Sequence, residues 1–150
     1  DHVAFAHALV ERGVDVVFGH SSHHPRPIEI VRGKPVFYGC GDLLSDYEGI
    51  TGYEAFRNDL VLLYSLRCST PAIPAGAKEA GANARVRIPE RTIDVSMKPF
   101  RLHKMRLERA TSPDARWLAE RLAVESRPYG TDVVMRADGR LEARGLRDAA

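Results

Sequence analysis

Three of the six histidines fall within five residues, at His20, His23 and His24. A neutral imidazole binds Zn, Mn, Fe or Ni through one ring nitrogen, and two imidazoles three residues apart in a loop can converge on one metal centre. They do not complete such a centre. A catalytic metal needs at least three protein ligands, and a binuclear pair needs more, including a bridging carboxylate. Asp42, between Gly41 and Leu43, is a candidate carboxylate for the same cleft, with a turn-forming Asp as the alternative. Ser21 and Ser22 lack a surrounding G-x-S-x-G and read as donors to substrate or backbone, not as nucleophiles. The alternative for the whole cluster is a polar surface loop whose histidines cap strand ends. Gly39, Gly41 and Gly49 make no phosphate-binding fingerprint. Asp46, Tyr47 and Glu48 read as a solvated loop, His103 as structural and Trp117 as core.

The elements around this loop must hold it. Val3, Ala6, Leu9 and Val10 recur at helical spacing, and Gly13 is a suitable helix stop. The run from Val14 to Phe18 is short and apolar, which predicts a strand buried on both faces. Gly19 ends it, and Pro25 and Pro27 hold the second half of the following loop extended. A hairpin is expected next: Ile28 to Val31, a turn at Arg32-Gly33-Lys34, then Pro35 to Tyr38. Gly39 and Gly41 then permit the close backbone approach expected beneath a site loop. Asp59 to Cys68 reads as a strand, residues 69–84 as a flexible loop or insertion, and three strands follow at 85–88, 92–97 and 100–107. Ser112-Pro113-Asp114 reads as a helix N-cap with Pro at the first helical position, and the helix should run to about Ser126. A hairpin with an Asp138-Gly139 turn closes the order, from Thr131 to Ala143. The chain is mixed α/β and strand-rich after residue 28.

Composition narrows the function classes. Hydrophobic residues make up 44% and charged residues 28%, which is globular usage and not that of a disordered chain. No apolar run reaches the roughly 20 residues of a membrane helix. The net charge of +2, with no long basic block, argues against nucleic acid as a partner. Two cysteines, Cys40 and Cys68, are too few for a disulfide framework; they read as two buried thiols, with a single bridge as the alternative. The chain opens on Asp1 inside a helical pattern, and the expectation is a fragment that enters its domain partway.

The residues from Gly13 to His23 resemble the "GADVVIGHSPH" segment of the bacterial capsule-synthesis CapA/PgsA family. Pro27 to Asp42 resembles that family's "GIEIYKGKPIFYSLGNF", and residues 99–145 are similar in pattern. The resemblance implies the calcineurin-like metallophosphoesterase superfamily: the C-terminal portion of a single four-layer α/β/β/α sandwich domain, with the N-terminal portion absent. It implies two divalent transition metals (Mn, Fe or Zn), His20 and His23 as metal ligands, and Gly19 as the point where the backbone turns into the site. Ser21, Ser22, His24 and Asp42 become neighbours of the ligands or substrate-facing residues, and no catalytic residue is named. Ser22 stands where the family has Pro, His24 where it has an apolar residue, and Asp42 where it has Asn. The family's earlier motifs have no counterpart in residues 1–150, so this chain alone should be inactive.

The resemblance also implies poly-γ-glutamate capsule synthesis, a cell-envelope setting, and membrane association only through an upstream segment. Its expected partners are the missing N-terminal portion and an anionic polymer substrate. A second reading keeps the fold without catalysis: an export or synthesis component that binds an anionic polymer or a membrane partner through Arg85, Arg87, Arg91, Arg101, Arg106 and Arg109. A third is a truncated gene product with exposed strand edges.

Overall fold

A computed structural model describes residues 1–20, 22–44, 52, 54–70 and 91–146. Helix α1 (His2–Glu11) starts at Asp1, whose carboxylate accepts the Val3 N–H at 2.9 Å. It buries Ala6 and Val10 against Val36. Strand β1 (Val17–Phe18) follows, and here the expected strand from Val14 to Phe18 is corrected: two residues pair, and Phe18 is 70% exposed. The reason is position. Among the described residues β1 runs parallel to β3 (Lys34–Phe37) on one side and ends a three-stranded sheet ordered β1-β3-β2.

Strands β2 (Ile28–Val31) and β3 form the expected antiparallel hairpin, with positive φ at Arg32 (52°) and Gly33 (74°). Two left-handed turn residues match the twist of the flanking strands. Pro35 sits opposite Ile30. The Ile30 N–H points away from β3 to Thr131 Oγ1 at 2.9 Å, and the Ile28 N–H likewise reaches Ser126 Oγ at 3.0 Å. Both are therefore non-hydrogen-bonded positions of the ladder, and the missing N–H of Pro35 costs the hairpin nothing. Ser126 and Thr131 are fully buried, so these two hydroxyls latch the outer edge of β2.

The second sheet is ordered β4-β5-β8-β7, with β6 also on β5. Its strands are β4 (Leu60–Ser69), β5 (Thr92–His103), β6 (Arg106–Arg109), β7 (Thr131–Met135) and β8 (Leu141–Gly145). The two strands expected at 92–97 and 100–107 are a single strand that passes through Pro99, turns at Lys104 and Met105, and returns as β6. Both turn residues have positive φ, 48° and 58°, without a Gly or Asn to announce it. The strand expected at 85–88 lies outside the described residues.

Helix α2 (Ser112–Ser126) buries Ala115, Leu118, Ala119 and Leu122. These pack with Ile28 and Phe37 of the first sheet and with Leu60, Val95, Met97, Val133 and Leu141 of the second. α2 and the first sheet thus cover the same inner face of the second sheet, while α1 lies on the outside of the first. The α/β class is as expected. The helix cap is Thr111, one residue earlier than expected: its hydroxyl accepts the Asp114 N–H at 3.3 Å and donates to the Asp114 carboxylate at 2.7 Å. Both thiols are free; Cys40 is half-buried, and Cys68 is exposed instead of buried.

Arg57 ties the start of β4 to α2. Its guanidinium forks onto Asp59 at 2.8 and 3.0 Å, reaches Asp114 at 2.9 Å, and lies 5.7 Å from the Trp117 ring. The Arg57 hydrogen bonds hold Asp59 below the usual carboxylate range, and the Thr111 hydroxyl followed by Arg57 does the same for Asp114. A depressed carboxylate contributes stability above its unfolded pKa and loses it as pH falls through its folded one. Arg57→Met should therefore destabilise the protein at pH 7, with a gap to wild type that closes as pH drops below about 4. Urea melts at pH 7 and pH 3 measure it; a gap unchanged at pH 3 would contradict the ion-pair account.

Candidate metal-binding loop

The histidine loop leaves β1 at Gly19, crosses the segment after β3 and returns to β2. Backbone bonds fix both ends: Gly19 N–H to Phe37 O at 2.6 Å, Arg26 N–H to Gly39 O at 2.9 Å and Tyr38 N–H to Pro27 O at 3.1 Å. The loop lies directly on its glycine floor. A Cβ on Gly39 would come within 2.3 Å of Ser22 Oγ and 2.6 Å of Arg26 Cγ. Gly41 has φ +71°, and a Cβ there would meet the His24 backbone at 2.9 Å. Only glycine allows both the approach and the turn.

That floor delivers Asp42 to the loop. Asp42 Oδ2 lies 2.8 Å from His23 Nδ1. His24 points elsewhere. Its ring stacks on Phe56 at 4.4 Å, and burial, followed by the Arg26 charge, lowers its pKa and favours the neutral imidazole. Ser22 Oγ donates to the His24 carbonyl at 2.9 Å, a local turn bond in place of a proline's rigidity. His20 is exposed and borders an open groove of about 440 Å³ together with Ser22, Arg26, Phe5 and Phe18. Ser21, Asp46, Tyr47 and Glu48 lie outside the described residues.

Beneath the loop runs a polar cluster that the sequence did not single out. Glu29, 8% exposed on β2, accepts from the Tyr38 hydroxyl at 2.5 Å and lies 2.9 Å from His7 Nε2 of α1. Burial and the Glu29 carboxylate together push the Tyr38 phenol above its ordinary range. A charged residue at a buried position in an otherwise apolar strand is the signal that could have found it.

The donor types suit a transition metal. A carboxylate on Nδ1 of a histidine is the usual support for ligation through Nε2, since it fixes ring and tautomer. The set is partial: among the described residues no three His, Cys, Asp or Glu side chains are grouped to hold an ion.

Residues 1–47, which carry α1 and β1 to β3, match the family model described as bacterial capsule synthesis protein PGA_cap. Over 140 residues the chain is 48% identical to proteins from two strains of Mycobacterium tuberculosis, each named "Probable polyglutamine synthesis accessory protein". Those alignments take in 93% of this chain and 32% of each relative, so the chain spans about a third of the length of the curated relatives it matches. The histidine-loop sheet thus carries the match to the bacterial capsule synthesis (PGA_cap) family, and the chain is CapA/PgsA-like.

Proposed function

We propose that this chain forms one wall of a metal-dependent, phosphoesterase-type centre in a capsule-polymer synthesis protein. His20 and His23 are its metal ligands, and Asp42 orients His23. The observation that carries this reading is the 2.8 Å contact between His23 Nδ1 and Asp42, the carboxylate–histidine half of a ligated arrangement. Two divalent transition ions (Mn, Fe or Zn), when bound, supply an activated water and polarise a phosphoryl oxygen. The role of this chain is positional. Gly39 and Gly41 seat the loop, Asp42 holds the His23 proton on Nδ1, and Ser22 tethers the backbone at His24. The remaining ligands belong to the rest of a longer polypeptide, consistent with relatives about three times as long. The four-layer sandwich belongs to the same reading. Among the described residues the outer edge of β1 has no strand partner, and with exposed Phe5 and Phe18 beside it that edge suits further strands of that domain.

The test is phosphodiester turnover by the full natural polypeptide that carries this chain. After chelation and dialysis it should hydrolyse bis-p-nitrophenyl phosphate only when Mn or Zn is returned. Full metal occupancy without metal-dependent turnover would remove the phosphoesterase part and favour a polymer-binding accessory role.

A further inference from the structure

Among the described residues the arginines expected on one face are divided. Arg91 pairs with Asp15 at 2.9 Å, Arg101 and Arg106 lie on one side of the β5–β6 ladder and Arg109 on the other, and Arg85 and Arg87 lie outside the described residues. The buried carboxylate under the histidine loop is better built. In the β2–β3 register Glu29 faces Val36, which places it diagonally across from Tyr38, one residue past the end of β3. Both share the face that α1 covers, where Ala6 and Val10 pack on Val36. A carboxylate there carries a desolvation cost that Val or Leu at the same position would not. Its distinctive effect is to join three segments at one atom: Glu29 Oε2 accepts the Tyr38 hydroxyl and lies 2.9 Å from His7 Nε2 of α1.

We infer that Glu29 positions His20, acting through Tyr38. The route runs along the backbone. A Cβ on Gly19 would come within 2.8 Å of Tyr38 O and 3.0 Å of its carbonyl carbon, so the Gly19 backbone rests on that of Tyr38. Gly19 N–H donates to Phe37 O, and Cys40 N–H donates to Gly19 O at 3.4 Å, which seats Gly19 on residues 37–40. His20 follows directly, so a displaced Tyr38 displaces it. The Tyr38 side chain supplies fixing beyond its backbone bond to Pro27. Its hydroxyl is on Glu29, and its ring packs against His2 at 5.4 Å and Tyr129 at 5.1 Å. The two proposed ligands are then held by different means, His23 by a carboxylate on its ring and His20 by a carboxylate acting through the floor. A binding constellation tolerates displacements of only about 0.5 Å, so this support bears directly on affinity. The role rests on the His20 assignment in the reading above and asks nothing of the reaction.

The test compares the full natural polypeptide with its Tyr38→Phe, Glu29→Leu and Glu29→Gln variants, first metal-free and then titrated with Mn. In the metal-free state, Tyr38→Phe and Glu29→Leu should speed hydrogen exchange at the Gly19 amide about tenfold or more. The Leu102 amide, which donates to Asp59 O at 2.7 Å in the second sheet, should exchange as in wild type and so report any global loosening. Mn affinity should fall about tenfold in the same two variants, the lower end of the range for residues that orient a ligand. Glu29→Gln, whose amide oxygen still accepts from Tyr38, should keep both properties within about threefold of wild type. Tyr38→Phe keeps the ring and decides the matter where Glu29→Leu does not fold. Wild-type Gly19 exchange or wild-type Mn affinity in Tyr38→Phe would overturn the proposal, as would an equal rise in Leu102 exchange or a Glu29→Gln variant as impaired as Glu29→Leu. Full Mn affinity in His20→Ala would overturn the ligand assignment itself, and the metal-free exchange distinguishes that failure from failure of the Glu29–Tyr38 support.

Discussion

His23→Ala is expected to strip the full natural polypeptide of metal, and Asp42 substitutions to weaken the hold in graded fashion. On the proposed assignment, removing the imidazole donor takes away a ligand outright. Removing Asp42 leaves the ligand present but unoriented. Supporting carboxylates of this kind are worth about 10–100-fold in metal affinity, so Asp42→Ala should fall near the upper end. Asp42→Asn keeps an oxygen that can accept the Nδ1 proton, and should fall near the lower end. Metal per polypeptide by mass spectrometry, with competition against a chelator for affinity, separates these cases. Full occupancy in His23→Ala would end the ligand assignment. Equal loss in Asp42→Asn and His23→Ala would instead make Asp42 a direct ligand.

The second large effect concerns the latch on β2. Ser126→Ala or Thr131→Val leaves the Ile28 or Ile30 N–H facing a buried site without its acceptor. Each such loss costs about 1–3 kcal/mol, so the double variant should lose roughly 2–6 kcal/mol. That is a large fraction of the roughly 5–15 kcal/mol that holds an ordinary domain together. The urea midpoint should drop with an unchanged slope. A double variant within about 0.5 kcal/mol of wild type would mean that water replaces both hydroxyls.

The legible parts of this molecule are those where local chemistry and tertiary packing agree. The β2–β3 hairpin, β4, α2 and the β7–β8 hairpin all carry apolar patterns bounded by Gly, Pro or a capping hydroxyl. Where they disagree, the sequence misleads. Val14 to Phe18 has the composition of a central strand, but among the described residues only Val17 and Phe18 pair, and on one side, because pairing depends on neighbours that composition does not encode. The strands read separately at 92–97 and 100–107 are joined through Pro99, and Lys104-Met105 hid a turn, since neither residue type favours positive φ. In the site, His23 and Asp42 could each be named, yet their contact across 19 residues depends on how closely the loop settles on Gly39 and Gly41. The partners of Glu29 follow from register, which side-chain pattern alone leaves open.

The latch hydroxyls lie 98 and 101 residues beyond the backbone groups they bind. During synthesis at about 5–20 residues per second, the hairpin beneath the histidine loop would emerge several seconds before its latch. In that interval the outer edge of β2 is open to any other extended strand near the ribosome. The nascent chain is then most exposed to mispairing when its most function-bearing segment is already made, and a chaperone that shields strand edges would act between those two moments.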